Sequence, residues 1–432
     1  MPETVLTRTR TDGDRTAAAP PGPARRTRMA WLDGLRGLAA MVVVFEHSLD
    51  VLWPEARLAA SPWFDFGRYG VFVFFLVSGY VVPASLERRG SVREFWIGRV
   101  FRLYPLWAVA ALVGLGFALA GVSWGPPVPL TEHPWVSALA HLTMLQDLLG
   151  VPNVVNVFWT LSYEMVFYLL VTAMFVTGVH KASARTALGF AAAAVFLSGL
   201  APAGLIGARE RDVVVIATAL LAACGLLAVM RGGRSSRQWG AVGLAVLALT
   251  LLTLGNRVGG LESLAIIATM FAGTALYRIQ HGEGPRRSAM AMVALVPALT
   301  VTAGIGSAAG WGIGGLQPMA WGWPIAVLAA WLTFLVGMAL RHRRVPRFLA
   351  WLGLVSYSVY LLHPLPIQII WRVAGDPEAL SLGERLAWGV FLVGSVLGAA
   401  ALAYRFVERP MQNLGRGLVR AKRDKASAAG RQ

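Results

Sequence analysis

The chain has 432 residues, of which 56% are hydrophobic and only 14% are charged. Soluble domains are about 25% charged, so this composition excludes an ordinary soluble protein and predicts an integral membrane protein with several spans. The formal net charge of +17 does not predict nucleic-acid binding, because the basic residues lie in short loops and tails between apolar segments. The single cysteine, Cys224, lies within an apolar run, which excludes an intrachain disulfide and a cysteine-based metal site.

The sequence predicts three parts. Residues 1–30 are rich in Arg, Thr, Ala and Pro and lack both periodicity and a signal peptide, so we expect a disordered basic tail. Residues 31–410 form one membrane domain without a repeat of fixed period. Residues 411–432 form a basic cytoplasmic tail, whose charges serve either retention on that side or contact with anionic membrane lipid.

Apolar runs within the membrane domain predict its helices, since a spanning helix needs about 20 mostly apolar residues. We expect an all-α, polytopic bundle of about 10–12 transmembrane helices, with ten spans if two runs are re-entrant or one pair is misread. The twelve candidate runs lie at 35–53, 69–86, 104–122, 157–178, 186–207, 212–230, 238–256, 262–279, 288–306, 320–340, 347–371 and 386–404.

Basic residues are distributed unequally between the loops. If the N-terminal tail is cytoplasmic, the five inner loops carry 17 Lys and Arg residues, whereas the six outer loops carry seven. The longest outer loop, 122–156, carries none. The positive-inside rule therefore predicts that both termini are cytoplasmic and that the number of spans is even.

The first run, in the segment "DGLRGLAAMVVVFEH", combines an arginine with a histidine. Arg36 and His47 are separated by three helical turns to within about 20°, so their side chains share one helix face about 16 Å apart along the axis. Ionisable groups in hydrocarbon cost about 2.5 to 3.5 kcal/mol each and commonly mark function. Arg36 at the cytoplasmic interface suits an anionic ligand, whereas His47 lies past the midplane. A snorkelling arginine and a packing histidine are the alternative.

The next segments add small and basic residues. Ser78 and Gly79 interrupt the second apolar run, where small residues allow close helix packing. Arg99 and Arg102, in "FWIGRVFRLYP", are three residues apart and therefore neighbours on one helix face. Guanidinium groups bind phosphates bidentately, so this face suits the phosphates of a nucleotide-derived cofactor; a solvated helix that only fixes topology is the alternative.

The segment "FWTLSYEMVFY" places a carboxylate within the fourth run. We expect Trp159 at the outer interface and Glu164 about 10 Å below it, with Ser162 between them. Glu164 would then reach a depth comparable to that of His47, where the two groups could orient each other or exchange a proton. A helix–helix hydrogen bond that only fixes packing is the alternative.

The segment "LGLVSYSVYLLHPL" carries a second histidine in the outer half of the membrane. Tyr360 and Ser356 lie on the turns beneath His363, and Pro364 is expected to loosen the helix at that point. Taken alone, His363 is better explained as structural than as catalytic. The remaining histidines show no ligand-like spacing, and no metal site is expected; they are His133, His141, His180, His281 and His342.

Taken together, these segments resemble the acyltransferase 3 family, the multispanning bacterial membrane enzymes that O-acetylate or O-acylate sugars and related hydroxylated molecules. The similarity follows the order of the family's motifs along nearly the whole chain. The matching residues are Arg36 and His47, "FFLVSG" at Phe74 to Gly79, Arg99 and Arg102, Trp159 and Glu164, the set Ser356, Tyr357, Tyr360 and His363, and "FVERP" at Phe406 to Pro410.

The resemblance implies a membrane-bound O-acyltransferase of the bacterial cell membrane. It would move an acyl group, acetyl first, from acetyl-CoA or another acyl-CoA to a hydroxyl of a carbohydrate or glycan. The donor's phosphates would bind Arg36, Arg99 and Arg102. His47 would act as general base with Glu164 orienting it, and direct transfer and a transient acyl-histidine both stay open. Supporting positions are Ser78, Trp159, Ser162, Tyr357 and His363.

Two other functions fit part of these observations. Some similar enzymes act on secondary metabolites such as macrolides, so a small-molecule acceptor is the first alternative. A twelve-span transporter is the second, although the halves show no related pair of Gly/Pro-interrupted segments. Some family members carry a fused extracytoplasmic hydrolase-like domain; none occurs in this sequence, so we expect a separate extracytoplasmic enzyme or a directly bound acceptor.

Overall fold

The computed structural model describes residues 29–122, 132–196, 210–255, 258–309 and 320–429, which form helices and turns and contain no β-strand. The predicted N-terminal tail therefore lies almost entirely outside the described residues. The α-helices are α1 (Ala30–Leu52), α2 (Pro54–Ala60), α3 (Phe66–Arg89), α4 (Val92–Leu119), α5 (Pro134–Leu142), α6 (Trp159–Val176), α7 (Ser183–Phe196), α8 (Arg211–Arg231), α9 (Arg234–Leu254), α10 (Gly260–Gln280), α11 (Arg286–Ala308), α12 (Gly322–Ala339), α13 (Arg347–Leu362), α14 (Pro364–Ala374), α15 (Leu382–Ala403) and α16 (Arg409–Ala429).

Long apolar helices dominate this architecture. Within the described ranges, eight helical segments are long and apolar enough to cross a membrane, or nine if α13 and α14 count as one span bent by 49°. This confirms the predicted all-α polytopic bundle, and the bend falls where Pro364 was expected to loosen the helix. Every predicted run contains a helix in its described part. However, α1 carries four charged residues, Asp33, Arg36, Glu46 and Asp50, and residues 197–207 of the run 186–207 lie outside the described residues. A count of twelve spans stays a prediction.

Local sequence signals determine where α3 begins and ends and where α4 begins. Asp65 caps α3, because its carboxylate accepts the backbone N–H of Arg68 at 2.8 Å. Gly90 ends α3 with a φ of +63°, a left-handed conformation that glycine adopts without steric cost. Ser91 then caps α4 through the N–H of Glu94. The tight turn brings the basic start of α4 beside the C-terminal end of α3.

Glycines allow the central helices to approach each other closely. A Cβ on Gly79 of α3 would lie 1.9 Å from the carbonyl oxygen of Met270 on α10, and a Cβ on Gly273 would lie 2.5 Å from that of Leu76. The Thr274 hydroxyl donates to the Gly79 carbonyl at 2.8 Å. Close approach of small residues with an interhelical hydrogen bond is typical of membrane helices.

Residues 143–158, which precede α6, pack into the protein. Leu148 and Phe158 among them are fully buried, and the Asp147 N–H donates to the Ser162 hydroxyl at 3.3 Å. As a result α6 begins inside the protein, and Trp159 is only 7% exposed. Trp159 is thus covered by protein, and its expected level at the outer membrane interface stays a prediction.

The tail beyond residue 410 is helical in its described part, up to Ala429. α16 packs against α4, and a π-helical turn, Tyr404–Glu408, joins it to α15. Buried Glu408 in this turn accepts a hydrogen bond from Ser358 of α13. The basic tail expected from the sequence is thus an ordered helix fixed to the bundle.

Candidate active site

A central cavity with about 700 Å³ of empty space lies between α1, α3, α4, α6 and α13. Six of the ten candidate site residues line it, although they come from five different helices. These six are Arg36, Ser78, Arg99, Arg102, Glu164 and Tyr357. The fold therefore brings together most of the polar residues that the sequence singled out.

Three arginines occupy one end of the central cavity. Arg36 pairs with Asp33 one turn away at 3.8 Å. The Arg99 guanidinium lies over the rings of Phe95 and Tyr168, with 5.3 and 5.4 Å to the two centroids. A cation held by aromatic faces keeps its N–H edges free for a further ligand. Three positive groups at one cavity end are therefore suited to an anion.

Glu164 lies at the same end as these arginines. Its carboxylate accepts a hydrogen bond from the hydroxyl of Tyr168, one turn along α6, and it lines the central cavity together with Arg36. No hydrogen bond joins Glu164 to His47 among the described residues, so the expected direct contact between them is not formed.

His47 instead has His363 as its neighbour, with 5.1 Å between the ring centroids. Nδ1 of His47 lies 2.9 Å from the Val43 carbonyl oxygen, and Nδ1 of His363 lies 3.2 Å from that of Val359. Because a carbonyl oxygen only accepts, each Nδ1 carries a hydrogen, and Nε2 is the ring nitrogen left for exchange with a further group. Nε2 of His363 is buried without a hydrogen-bond partner among the described residues. The geometry thus places two adjacent imidazoles, each held through Nδ1, beside the cavity.

Tyr360 connects this histidine pair to the central cavity. Its side chain lines the cavity, and its ring centroid lies 6.0 Å from that of His363 and 5.5 Å from that of Phe74. The Thr160 hydroxyl donates to the Tyr360 hydroxyl at 3.1 Å, which fixes the ring. His47 and His363 do not line the cavity themselves but adjoin it through Tyr360.

Trp159 and Ser162 join α6 to the residues around the site. The Arg68 guanidinium lies 4.9 Å from the centroid of the Trp159 ring and pairs with Glu262 at 2.5 Å. Ser162 accepts its hydrogen bond from Asp147 in the segment that precedes α6. Both residues therefore join α6 to its surroundings and do not line the cavity.

Sequence reasoning assigned no site role to Tyr168, and it placed Tyr360 only on a turn beneath His363 and in the family motif. Tyr168 is four residues after Glu164, so a one-turn hydrogen bond between them is readable from spacing. The contact between the rings of Tyr360 and Phe74 cannot be read from spacing, because it joins helices that are far apart in the chain. No group of three or more His, Cys, Asp or Glu residues positioned for a metal ion occurs in the described part of the chain.

The fold and the site together define a class of protein: a helical membrane protein with a cationic cavity and an adjoining histidine pair. The family model described as an acyltransferase domain, that of the acyltransferase 3 family, matches residues 29–404. The chain belongs to this family.

Curated relatives match over shorter segments. The chain is 32% identical over 157 residues to the acyltransferase MdmB of Streptomyces mycarofaciens, which covers 34% of this chain and 39% of the relative. It is 28% identical to nodulation protein 10 of Rhizobium leguminosarum, over 32% of this chain and 41% of the relative. It is also 28% identical to the peptidoglycan O-acetyltransferase OatA of Listeria monocytogenes, over 32% of this chain and 23% of the relative. These matches span less than half of each relative, and no solved structure matches significantly.

Proposed function

We propose that the chain is a membrane-bound O-acyltransferase that moves an acyl group, acetyl first, from acyl-CoA to a hydroxyl of a carbohydrate or glycan. Membership of the acyltransferase 3 family supports this proposal. The single observation that carries it is the central cavity, which is lined by Arg36, Arg99 and Arg102 and adjoins the His47–His363 pair at Tyr360.

The arginine end suits the donor. Arg99 and Arg102 form no hydrogen bond or ion pair with other described residues, so their N–H groups are available to phosphate oxygens. The positive-inside rule assigns this end to the cytoplasm, where acyl-CoA is made. An extended pantetheine arm matches the roughly 16 Å of helix between Arg36 and His47.

The histidine end suits the transfer step. The acceptor oxygen attacks the thioester carbonyl carbon while Nε2 of His47 takes the hydroxyl proton. The carbon–sulfur bond then breaks, and the imidazolium returns the proton to the departing thiolate. General base catalysis of this kind contributes about 10² to 10⁴ in rate. His47 is only half-buried, which leaves room for a hydroxyl to approach.

Glu164 has a positioning role in this scheme. As a carboxylate among three arginines, it offsets their mutual repulsion, and its hydrogen bond from Tyr168 fixes its orientation. This assignment replaces the direct orientation of His47 that the sequence suggested. Tyr357, which donates to the Leu103 carbonyl at 2.9 Å, holds α13 against α4 beside the arginines.

The names of two relatives support a glycan acceptor. One is the peptidoglycan O-acetyltransferase of Listeria monocytogenes, and another is a putative peptidoglycan O-acetyltransferase, YrhL, of Bacillus subtilis, 25% identical over 36% of this chain. A glycan at the outer surface would approach the half-buried His47 from the side opposite the arginines. The proposed location is therefore the bacterial cell membrane.

Comparative mass spectrometry tests this function. Surface glycans and small metabolites from cells with the gene, without it, and with the His47→Ala variant are compared. We expect one class of glycan to gain the mass of an acetyl or larger acyl group only in cells with the wild-type chain. Identical profiles in all three strains would overturn the proposal, and a gain on a small metabolite alone would overturn the glycan acceptor.

A further inference from the structure

A second cavity, the basic cleft, opens beside the central cavity on the side of α16 and has about 1520 Å³ of empty space. Arg99 and Arg102 line both cavities, so the two adjoin at these side chains. Glu94 is the single acidic residue among those that line it. Its arginines are Arg88, Arg89, Arg99, Arg102, Arg416 and Arg420.

α16 supplies one wall of the basic cleft and is held there by specific contacts. A Cβ on Gly415 would lie 2.8 Å from the Cβ of Phe101 on α4, so glycine allows the two helices to approach closely. Gln412 donates to the buried Glu408 at 3.5 Å. Arg416 and Arg420 are four residues apart and therefore project from the same face of α16 into the cleft.

The charges of this wall are not neutralised within the protein. Arg416 donates to the side-chain oxygen of Asn413 at 2.5 Å, which is a neutral partner. Arg420 forms no hydrogen bond or ion pair with another described residue, and both arginines are exposed. Six guanidinium groups around one carboxylate produce a strong positive potential that suits a ligand with several phosphates.

We propose that α16 completes the donor site and that Arg416 and Arg420 bind the 3′-phosphorylated adenosine diphosphate end of coenzyme A. This inference rests on the proposed function, because it assigns the other end of the same donor. Coenzyme A carries its phosphates at one end and its thiol at the other. With the thiol arm in the central cavity past Arg99 and Arg102, the phosphate-rich end lies in the basic cleft that those arginines share.

Phosphate could also come from anionic lipid, since α16 carries exposed Leu414 and Leu418 beside its basic residues. The two sources differ in one respect that an experiment can use. Only coenzyme A has a 3′-phosphate that can be removed while the rest of the molecule is kept.

The test measures dissociation constants of coenzyme A and 3′-dephospho-coenzyme A for the full chain in nanodiscs, with neutral lipid alone and with added anionic lipid. Binding needs no acceptor, so the result does not depend on the acceptor's identity. We expect the wild type to bind coenzyme A roughly tenfold more tightly than the dephospho form, as two exposed charge-assisted hydrogen bonds predict. In the Arg416→Ala, Arg420→Ala double variant this preference should disappear.

Two further variants make the result interpretable. Arg343→Ala with Arg344→Ala removes the same charge from an exposed loop outside the basic cleft, and it should keep the wild-type preference. Arg416→Lys with Arg420→Lys keeps the charge without the bidentate fork and should lie between wild type and the alanine variant.

The outcomes separate the inference from the proposed function. If the wild type binds no coenzyme A, the donor of the proposed function is wrong. If the wild type binds it and the alanine variant keeps the preference for the 3′-phosphate, only the role of α16 is overturned. A variant whose coenzyme A affinity is unchanged, but whose response to anionic lipid is lost, would assign the two arginines to lipid instead.

Discussion

His47 and His363 each donate their Nδ1 hydrogen to the carbonyl one turn earlier, which leaves two basic Nε2 atoms in adjoining rings. The two rings adjoin, with 5.1 Å between their centroids, so they belong to one site. Such a pair suits a cycle in which a proton is taken from an alcohol and returned to a thiolate.

Replacing His47 with alanine tests this role at the level of one residue. We expect His47→Ala to lower acyl transfer by about 10² to 10⁴, because the general base is lost while the helix bundle is not. The measurement is thiol release from acetyl-CoA by membranes supplied with the acceptor. His281→Ala, which removes an exposed histidine stacked on Tyr277, is the matched control and should behave as wild type. Wild-type turnover in His47→Ala would remove His47 from the mechanism.

The arginine pair on α4 is expected to act on donor binding. Arg99→Ala with Arg102→Ala should raise KM for acyl-CoA about tenfold or more and change kcat much less, since phosphate contacts persist from the bound state to the transition state. Arg234→Ala with Arg237→Ala removes two exposed arginines of the same spacing from α9 and should leave KM unchanged. A loss confined to kcat would contradict a phosphate-binding role.

At the scale of the helices, close packing explains one motif glycine. Gly79 lies where α3 meets α10 almost at backbone contact, so Gly79→Ala must push the helices apart. We expect a loss of about 1 to 3 kcal/mol of stability, the usual cost of overpacking. Gly394→Ala on α15 adds the same methyl group to open space and should be neutral or stabilising, because alanine favours helix. Thermal unfolding in detergent measures both variants, and equal midpoints would contradict the packing account.

Helix positions followed from the sequence, but contacts through loops did not. Apolar length located the helices, and Pro364 located the 49° bend, because both depend on local backbone chemistry. The burial of the segment before α6 was not foreseen, since this segment has no basic residue and reads as an outer loop, whereas Leu148 and Phe158 within it are fully buried. The ordered α16 was missed because its position depends on Phe101 and Ser358, which lie far away in the chain.

Across the whole molecule, charge asymmetry and cavity position agree. The loops assigned to the cytoplasm carry most of the basic residues, and the central cavity and basic cleft have their arginines near those loops. Convergence of Arg36, Arg99, Arg102 and Glu164 was suggested only by the family resemblance. Spacing within single helices cannot show which faces of different helices meet.

The central claim is that acyl-CoA enters from the arginine-lined side of the membrane. Sealed vesicles of opposite orientation test it, with membrane-impermeant acetyl-CoA added outside, acceptor present on both sides, and thiol release as the readout. We expect thiol release from inverted vesicles and from permeabilised right-side-out vesicles, but not from intact right-side-out ones. Release by intact right-side-out vesicles at the inverted rate would contradict the claim.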